Sequence, residues 1–554
     1  MIDRSDSSQK LLAGLRQDII ERRIRVGLDR LEAHLELIEG LDPSTEQAPQ
    51  LIWRVAQWVD VGFRCPDIVQ MLLTRLPKEI RSKLPLTDYA AVRMAEGLVA
   101  MSHEDADDAI AHFDAVLAFE HDLSDTELLA VANFWKARSQ RKKGEYEAAL
   151  AHTVKARDLA SSCGFDRMAA VMRVLESWLC FQAGKHREAL KILAETEAVL
   201  RETDDLVVLG NIESTYGRIF RQEGRYDEAI RHFSQAICHY RKRDDTHPHL
   251  ARTLANMAYV ERLVALELRR KIDSELARRR RAGRSERSDP RQTPYREQFQ
   301  TLRDTAFQHL EEAAAIYRRH PNHRGEGTVH LDRGLLHLDN GALDLAEEEA
   351  AKAFALGEEK EDAILMSRAR ILQCMVANGK LEEGIEGDPR RHSQAALDYI
   401  RDAIEFAKTT QNRRLLARAH TWHGLTLSNE FFGDHHTARE AMTIAGTYLD
   451  HGFHDTAWED LRILKARITG SQTVDETLLA WSQGQLGNRT FRQISEEFAE
   501  IIIPKVWEME GRKIARVATR LSISPKKVRR ALARAGLLKR SQPGPSEALV
   551  RGME

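Results

Sequence analysis

The sequence predicts an all-α protein in which an array of stacked helical pairs precedes a small unit of two short helices joined by a tight turn. Three observations predict this class. Apolar residues recur at helical spacing along most of the chain, and aromatic residues make up only 6% of it, which favours helices over sandwich folds. A pattern of Gly, Ala and large apolar residues also repeats from about residue 86. The 554 residues are enough for several domains or one long array.

The composition is that of a soluble protein, with 42% hydrophobic and 30% charged residues. The five cysteines form no C-x-x-C pair, which argues against a disulfide framework or a zinc knuckle and favours a reducing compartment. The first ten residues are polar, and no apolar run is long enough to span a membrane. We therefore expect a cytoplasmic protein with no membrane partner.

Residues 1–85 show helical periodicity but no motif that carries chemistry, and we expect them to form an N-terminal helical capping region. The repeat follows over residues 86–469. Gly97 precedes Ala109, Phe113 and Val116, and two later segments show comparable series. Those series are Gly217, Phe220, Gly224, Tyr226, Ala229, Phe233, Ala236 and Gly334, Gly341, Leu343, Ala346, Ala350, Ala353.

These series resemble the tetratricopeptide repeat (TPR), in which a small residue lets the first helix approach the second, a Gly turns the chain, and Ala packs with a large apolar residue on the next repeat. We count about eight pairs between residues 86 and 450. One pair cannot bury its faces alone, so the resemblance implies a TPR-like right-handed α-solenoid, with the helix 456–468 capping its end.

Two insertions interrupt the repeat. The first, at 268–297, carries eleven basic and five acidic residues from 269 to 297. We expect a solvated loop that extends two helices, although its run Arg278–Arg281 could contact phosphate. The second, at 379–393, has the composition of a surface loop.

The resemblance to TPR arrays also implies a partner. Such arrays bind a protein or peptide ligand in a concave groove lined by the first helix of each pair. The candidate groove residues are Asn211, Arg218, Arg221, His330 and Arg333.

Positive charge is concentrated near the C-terminal end, beyond a mixed linker at 470–490. Residues 511–540 hold eleven Lys and Arg and no acid, whereas the whole chain has a net charge of −2. The rest therefore sums to about −13, and its net charge would not attract nucleic acid. Residues 541–554 are expected to be a disordered tail.

Two short amphipathic helices account for this basic segment. Ser524 can cap the second helix and Pro525 suits its first position, whereas Gly536 would stop it. The apolar faces are Ile514, Val517, Ala518, Leu521 on the first helix and Val528, Ala531, Leu532, Ala535 on the second. Together with the inward Ile523, this is the pattern of a helix-turn-helix.

Residues 491–540 resemble the DNA-binding end of the factor for inversion stimulation (Fis) and the Fis-type tails of transcription regulators. The matching residues are Ala518, the turn Leu521 to Ser524, Val528, Leu532, Gly536 and Leu537. The preceding segment Ile501 to Trp507 also resembles the hydrophobic lead-in helix of that family. The apolar face that leads to Pro504 comprises Phe491, Ile494, Phe498, Ile501 and Ile502. In the family such a helix belongs to the dimer contact; here it could equally pack on the end of the solenoid. In the family Asn often follows the Gly, whereas Arg512 and Lys513 follow Gly511 here, which puts the usual cap in doubt.

The resemblance implies that duplex DNA is a partner and that a homodimer forms, because one such unit offers few contacts. The second helix would lie in the major groove with its outward side chains on base edges. The candidate readers are Ser524, Lys526, Lys527, Arg529, Arg530 and Arg534. First-helix side chains would hold phosphates, and these are Arg512, Lys513, Arg516 and Arg520.

No enzymatic motif emerges, so no catalytic residue, cofactor or metal is predicted. His420 and His423 share a helix face, but this spacing in a Cys-poor setting is weak evidence for a metal. The sequence thus favours a DNA-binding transcription regulator whose solenoid binds a protein or peptide. The alternative is a TPR adaptor or scaffold for protein–protein interaction, whose basic module docks an acidic protein.

Overall fold

A computed structural model describes residues 2–42, 45–61, 66–76, 78–281, 293–384, 388–449, 456–471, 490–534 and 537–538. Within these ranges every regular element is a helix, as the predicted all-α class requires. The chain divides into two compact units, Met1–Lys465 and Ala466–Glu554. Over the same ranges no helix is both long and apolar enough to cross a membrane.

The first unit begins with six helices that cover the end of the repeat array. They are α1 (Ile2–Ile20), α2 (Ile24–Ala33), α3 (Leu35–Glu39), α4 (Ala48–Ala56), α5 (Pro66–Thr74) and α6 (Lys78–Arg81). Trp53 and Trp58 are completely buried in a core that continues into the first helical pairs. This region therefore shields the first repeat from solvent, as a capping region does.

Eight helical pairs follow, the number predicted from the repeat. In order they are α7 (Leu86–Ser102) and α8 (Ala106–Leu117), α9 (Thr126–Lys143) and α10 (Tyr146–Ser162), α11 (Asp166–Gln182) and α12 (His186–Leu200), α13 (Leu206–Gln222) and α14 (Tyr226–Arg243), α15 (Pro248–Arg281) and α16 (Thr293–Arg319), α17 (His323–Asp339) and α18 (Leu343–Glu359), α19 (Ala363–Glu382) and α20 (Pro389–Lys408), and α21 (Arg413–Leu427) and α22 (His435–Tyr448). They form a TPR-like helical solenoid, with α23 (Thr456–Ser471) after the last pair.

Small residues bring the two helices of a pair together, as the repeat pattern predicts. A Cβ placed on Gly97 would lie 2.5 Å from the ring of Phe113, and one on Gly217 would lie 2.7 Å from the ring of Phe233. Both Phe side chains are fully buried. Between α13 and α14, Gly224 adopts a φ of 73°, a conformation that costs Gly little. Close packing and the turn thus both depend on glycine.

Side-chain caps set the beginning of many helices. Asp125 accepts the backbone N–H of Leu128, Asp205 that of Val208, and Asn412 that of Leu415. Each bond satisfies a backbone donor that lacks a partner within its own helix. The other capped helices in the array begin after Asp105, Asn322, Asp362, Asp388 and Asp434.

Both insertions are more helical than their composition suggests. The run Arg278–Arg281 belongs to α15, and α16 begins at Thr293, so the first insertion does extend two helices; residues 282–292 lie outside the described residues. The prediction of a plain loop over 379–393 is wrong for most of its length. Helix α19 continues to Glu382, and Asp388 caps α20 by accepting the N–H of Arg390 at 3.0 Å.

Within the first unit the solenoid winds far enough for distant repeats to touch. Glu104, after α7, accepts hydrogen bonds from Asn322 and from the backbone N–H of His323. The carbonyl oxygen of Gly144 accepts the N–H of Gln411 at 3.1 Å. These bonds link residues more than 200 positions apart, and they enclose the inner faces of the first helices.

The second unit contains three described helices, α24 (Phe491–Met509), α25 (Ile514–Arg520) and α26 (Pro525–Arg534). The lead-in helix continues through Pro504 to Met509 and so includes the segment Ile501 to Trp507. Ile503 and Trp507 pack against the following helices. The buried core comprises Ile503, Val517, Ala518, Val528, Ala531 and Leu532. Of the predicted linker at 470–490, residues 472–489 lie outside the described residues, as do Ala535, Gly536 and the tail at 541–554.

Candidate functional site

The second unit presents a basic face on α26. Val528, Ala531 and Leu532 point into the core, which leaves the cationic side chains outside. Lys526, Lys527, Arg529, Arg530 and Arg534 are all exposed. The predicted reader helix thus has the predicted polarity, with an apolar inner face and a cationic outer one.

The turn before α26 fixes how that face is presented. Ser522 adopts the left-handed conformation with a φ of 50°, which lets the chain reverse between α25 and α26. The hydroxyl oxygen of Ser524 accepts the backbone N–H of Lys527 at 3.2 Å. Ser524 therefore acts as the helix cap that the sequence predicted.

One member of the predicted stripe of Lys526, Arg530 and Arg534 is engaged within the unit. Arg534 lies 2.9 Å from Glu496 and 3.3 Å from Glu500, both on α24. Among the described residues, Lys526 and Arg530 form no ion pair. The free part of the cationic face is accordingly at the N-terminal end of α26, the end that contacts base edges in helix-turn-helix proteins.

The predicted phosphate contacts on and before α25 are also exposed. Arg512 lies over the ring of Trp507 at 5.5 Å, and Arg520 lies 2.6 Å from Glu510. Lys513 precedes the helix without capping it, which agrees with the missing Asn of the family pattern. Lys513 and Arg516 have no ion pair within the described part of the unit.

A second candidate site is a chamber inside the solenoid of the first unit. It is lined by the first helices α9, α11, α13 and α15 together with residues from α1 and from the segment after α4, and it is open to solvent. One wall is apolar, with Val131, Phe134, Trp135, Leu175 and Trp178 among its side chains. The polar side chains are Arg22, Gln57, Asp60, Arg138, Arg141, Asn211, Ser214, Thr215, Arg218, His249 and Arg252.

Charges on the chamber wall are unbalanced. Asp60 is its single carboxylate, and Arg138 binds both Asp60 oxygens, at 2.5 and 2.8 Å. Arg22 is bound by Asp205 at 2.7 Å. The three other arginines of the chamber, Arg141, Arg218 and Arg252, form no ion pair with any described carboxylate.

Those three arginines are held by weak contacts. Arg141 lies over the ring of Trp178 at 5.1 Å, and Arg252 donates to the side-chain oxygen of Asn211 at 3.2 Å. Arg218 donates no side-chain hydrogen bond to any described residue. The Nε atoms of Arg218 and Arg252 are buried without a hydrogen-bond partner among the described residues, as is the indole nitrogen of Trp178.

Burial, and after it the crowding of like charges, lowers the pKa of several groups in the chamber. Burial, together with the charges of Arg252 and Arg138, lowers the pKa of Arg141 to about 9. Burial and the charges of Arg252, Arg221 and Arg141 lower the pKa of Arg218 well below its usual value. Burial and Arg252 likewise keep the pKa of His249 low, which favours its neutral form. These lowered pKa values indicate that the chamber interior disfavours additional positive charge.

Farther along the inner face is a second group of arginines. Arg221 donates to Asn256 at 2.9 Å, and Arg368 donates to Thr328 at 3.0 Å. Near them Asp332 is buried, and that burial raises its pKa to about 6, opposed by the charges of Arg368 and Arg221. Cations therefore extend along the first helices beyond the chamber.

The five predicted groove residues divide into two sets. Asn211 and Arg218 line the chamber, and Arg221 lies in the second arginine group. His330 instead bonds Glu349 of its own repeat at 2.6 Å, and Arg333 lies 2.5 Å from Glu311 on α16. These last two side chains link neighbouring helices of the solenoid.

His420 and His423 border a shallow surface pocket between α20, α21 and α22. Burial lowers the pKa of both, to about 4 for His423. The described residues hold no group of three His, Cys, Asp or Glu side chains arranged to bind a metal ion.

Sequence reasoning missed Arg141 and Arg252. A partial signal did exist: both lie on first helices, as Arg218 does, and Arg252 has no acidic residue three or four positions away. Their meeting in space could not be predicted, because it depends on how far the solenoid winds.

No protein-family model matches the sequence, and no curated protein matches it either. Among solved structures, the chain is similar to a Rap protein complexed with Competence and Sporulation Factor, with a TM-score of 0.50, 13% identity, and coverage of 74% of this chain and 99% of that one. It also matches the apo form of the quorum sensor NprR from B. thuringiensis, with a TM-score of 0.47, 16% identity and coverage of 71% and 99%. A third match is a human IFIT1 dimer with PPP-AAAA, with a TM-score of 0.43, 14% identity, and coverage of 78% of this chain and 88% of that one. At a TM-score of 0.50 and 13% identity, the likeness to the Rap protein shows a shared fold, the TPR-like helical solenoid.

Proposed function

We propose that this chain is a cytoplasmic DNA-binding transcription regulator, with a solenoid that binds a peptide or protein partner and a Fis-like helix-turn-helix that binds duplex DNA. The observation that carries the proposal is the exposed cationic face of α26. Lys526, Lys527, Arg529 and Arg530 project from a helix whose opposite face is buried. A helix of this kind, held by a partner helix through a tight turn, fits the major groove.

The solenoid supports the second part of the proposal. Its chamber combines an apolar wall with polar groups that lack partners, which is typical of a ligand site. The Rap protein with a similar solenoid was solved in complex with Competence and Sporulation Factor. We therefore assign the solenoid the role of binding the partner.

A salt series tests DNA binding directly. Full-length protein is titrated onto a mixed-sequence duplex at several salt concentrations, and we expect the logarithm of affinity to fall linearly with the logarithm of salt concentration. Substitution of Lys526 and Lys527 by Ala should weaken binding, and substitution of the expected phosphate contacts Lys513 and Arg516 by Ala should reduce the slope by about two. The matched control replaces Lys191 and Arg231, exposed cations of the solenoid, and should leave both unchanged.

If the protein does not bind duplex at low salt, or if its affinity does not depend on salt, the DNA-binding proposal is wrong. The adaptor alternative makes the opposite prediction. In that case, protein partners captured by the full chain would survive nuclease treatment and be lost in the Lys526 and Lys527 double variant.

A further inference from the structure

The chamber wall carries three arginines, on three different helices, that form no ion pair with a described carboxylate. Their placement needs an explanation, because like charges repel one another more strongly in a half-buried setting than in water. Arg141, Arg218 and Arg252 lie within electrostatic range of one another. Folding would be favoured by a carboxylate among them or by uncharged residues in their place. Elsewhere in the interior the chain does supply carboxylates, as Asp339 does for Arg262 at 2.5 and 2.9 Å. These three chamber arginines, like Arg221 and Arg368 farther along the inner face, instead form no ion pair with a described carboxylate.

From this imbalance, we propose that the chamber binds an extended peptide through a carboxylate, either an acidic side chain or the free C-terminus, held by Arg141, Arg218 and Arg252. This inference deepens the proposed function and rests on its peptide-binding solenoid. A carboxylate accepts charge-assisted hydrogen bonds from guanidinium groups, two at a time where the geometry allows. Its charge would also offset the mutual repulsion of the three cations.

The rest of the wall favours a peptide over a compact anion. Trp178 offers a buried indole N–H without a partner. The side-chain oxygen of Asn211 is occupied by Tyr240 and Arg252, whereas its amide N–H groups have no partner among the described residues. These donors suit the carbonyl oxygens of a peptide backbone. The apolar wall around Leu175 and Trp135 suits apolar side chains of the same ligand.

Variants that remove charge but keep hydrogen-bonding capacity separate a binding role from a structural one. Arg141→Gln and Arg218→Gln relieve repulsion, so we expect each to raise the Tm of the unliganded full chain. Arg138→Gln is the matched control, since it leaves Asp60 without its partner and should lower the Tm. A fall in Tm for Arg141→Gln and Arg218→Gln would show that these arginines are structural, and would overturn the inference.

The binding test uses two defined pools of seven-residue peptides. One pool has a single Asp among Leu, Val, Ser and Gly and a free C-terminus; the other has Asn in place of Asp and an amidated C-terminus. Binding to full-length protein is followed by tryptophan fluorescence and by Tm, with inorganic phosphate and adenosine triphosphate as further probes. We expect the acidic pool to bind, the neutral pool to bind about tenfold or more weakly, and Arg218→Gln to remove the difference.

Equal binding of the two pools, or no binding of either, would overturn the inference. Binding of phosphate or adenosine triphosphate without the acidic pool would assign the chamber to a phosphorylated ligand instead. Duplex binding is measured on the same preparations. If the protein binds duplex but not peptide, only the proposed peptide site is wrong. If it binds peptide but not duplex, the proposed DNA-binding function is wrong and the peptide site stands.

Discussion

The imidazole Nδ1 of His323 lies 2.7 Å from a carboxylate oxygen of Glu104, a residue 219 positions earlier in the chain. Its Nε2 lies 3.1 Å from Asp362, so the ring is held between two carboxylates. One belongs to the end of the first helix of the first pair and the other caps α19. This contact joins the first helical pair of the solenoid to two later pairs. Protonation of His323 strengthens the contact, because the ring then carries a positive charge between two carboxylates.

The first prediction concerns pH. The hydrogen bonds to Asp362 and Glu104 outweigh burial and raise the pKa of His323, whereas bonds from His323 outweigh burial and lower the pKa of Glu104. A raised histidine pKa adds stability that is complete below the unfolded pKa of 6.5 and is lost as pH rises through the folded pKa. The difference in Tm between the wild type and His323→Gln should therefore be largest near pH ~6 and shrink toward pH ~9.

The control for this prediction is His121→Gln, because the side chain of His121 is 94% exposed. Its Tm should follow that of the wild type at every pH. If the Tm difference for His323→Gln stays constant across the range, the charged bridge does not stabilise the solenoid.

A second prediction tests the close approach of paired helices. Gly97→Ala places a methyl group 2.5 Å from the buried ring of Phe113, and we expect a loss of about 1–3 kcal/mol in the free energy of unfolding. Gly446→Ala on α22 is the matched control, because nothing lies within 4 Å of its added Cβ. This control should gain about 0.5–1 kcal/mol, since Ala is the better helix former. Denaturant unfolding checks both, and equal effects would contradict the packing role of Gly97.

A third prediction compares two arginines of α26 that the sequence could not distinguish. Arg530 is exposed without an ion pair among the described residues, whereas Arg534 bridges to Glu496 and Glu500. If Arg530 contacts a base edge, Arg530→Ala should cost about 1–3 kcal/mol of duplex binding. Arg534→Ala should cost less, because its charge is already partly neutralised. Anisotropy titrations of the full chain with one duplex measure both losses of binding free energy. A larger loss for Arg534→Ala than for Arg530→Ala would show that Arg534, and not Arg530, is the more important DNA contact.

The sequence was most informative where local rules determine structure. Gly97 with Phe113, and Ser524 with Pro525, are close in sequence, so spacing and capping predict them directly. The chamber was not predictable in the same way. It depends on contacts such as Gly144 with Gln411, which are fixed by the accumulated rotation of many repeats. The pairing of Arg534 with α24 was missed for a related reason, since it depends on how α24 packs across α26.

The last prediction concerns the oligomeric state. In the second unit, Phe491 and Phe498 are 85% and 41% exposed on α24, on the face that the Fis resemblance assigns to the dimer contact. Exposed aromatic side chains on one helix face are typical of an interface. We propose that the chain forms a homodimer through this face, which would also supply the second reader helix that stable duplex binding requires.

Sedimentation of the full chain should therefore show a dimer that Phe491→Ser with Phe498→Ser converts to a monomer. Duplex binding should weaken in parallel, because two linked readers bind with a higher effective affinity than one. Phe119→Ser with Phe431→Ser is the matched control, since both side chains are exposed on the solenoid, at 39% and 43%. If the wild type is a monomer and binds duplex as tightly as the Phe491→Ser, Phe498→Ser double variant, one helix-turn-helix unit is enough for duplex binding. The apolar face of α24 would then have a role other than dimerisation.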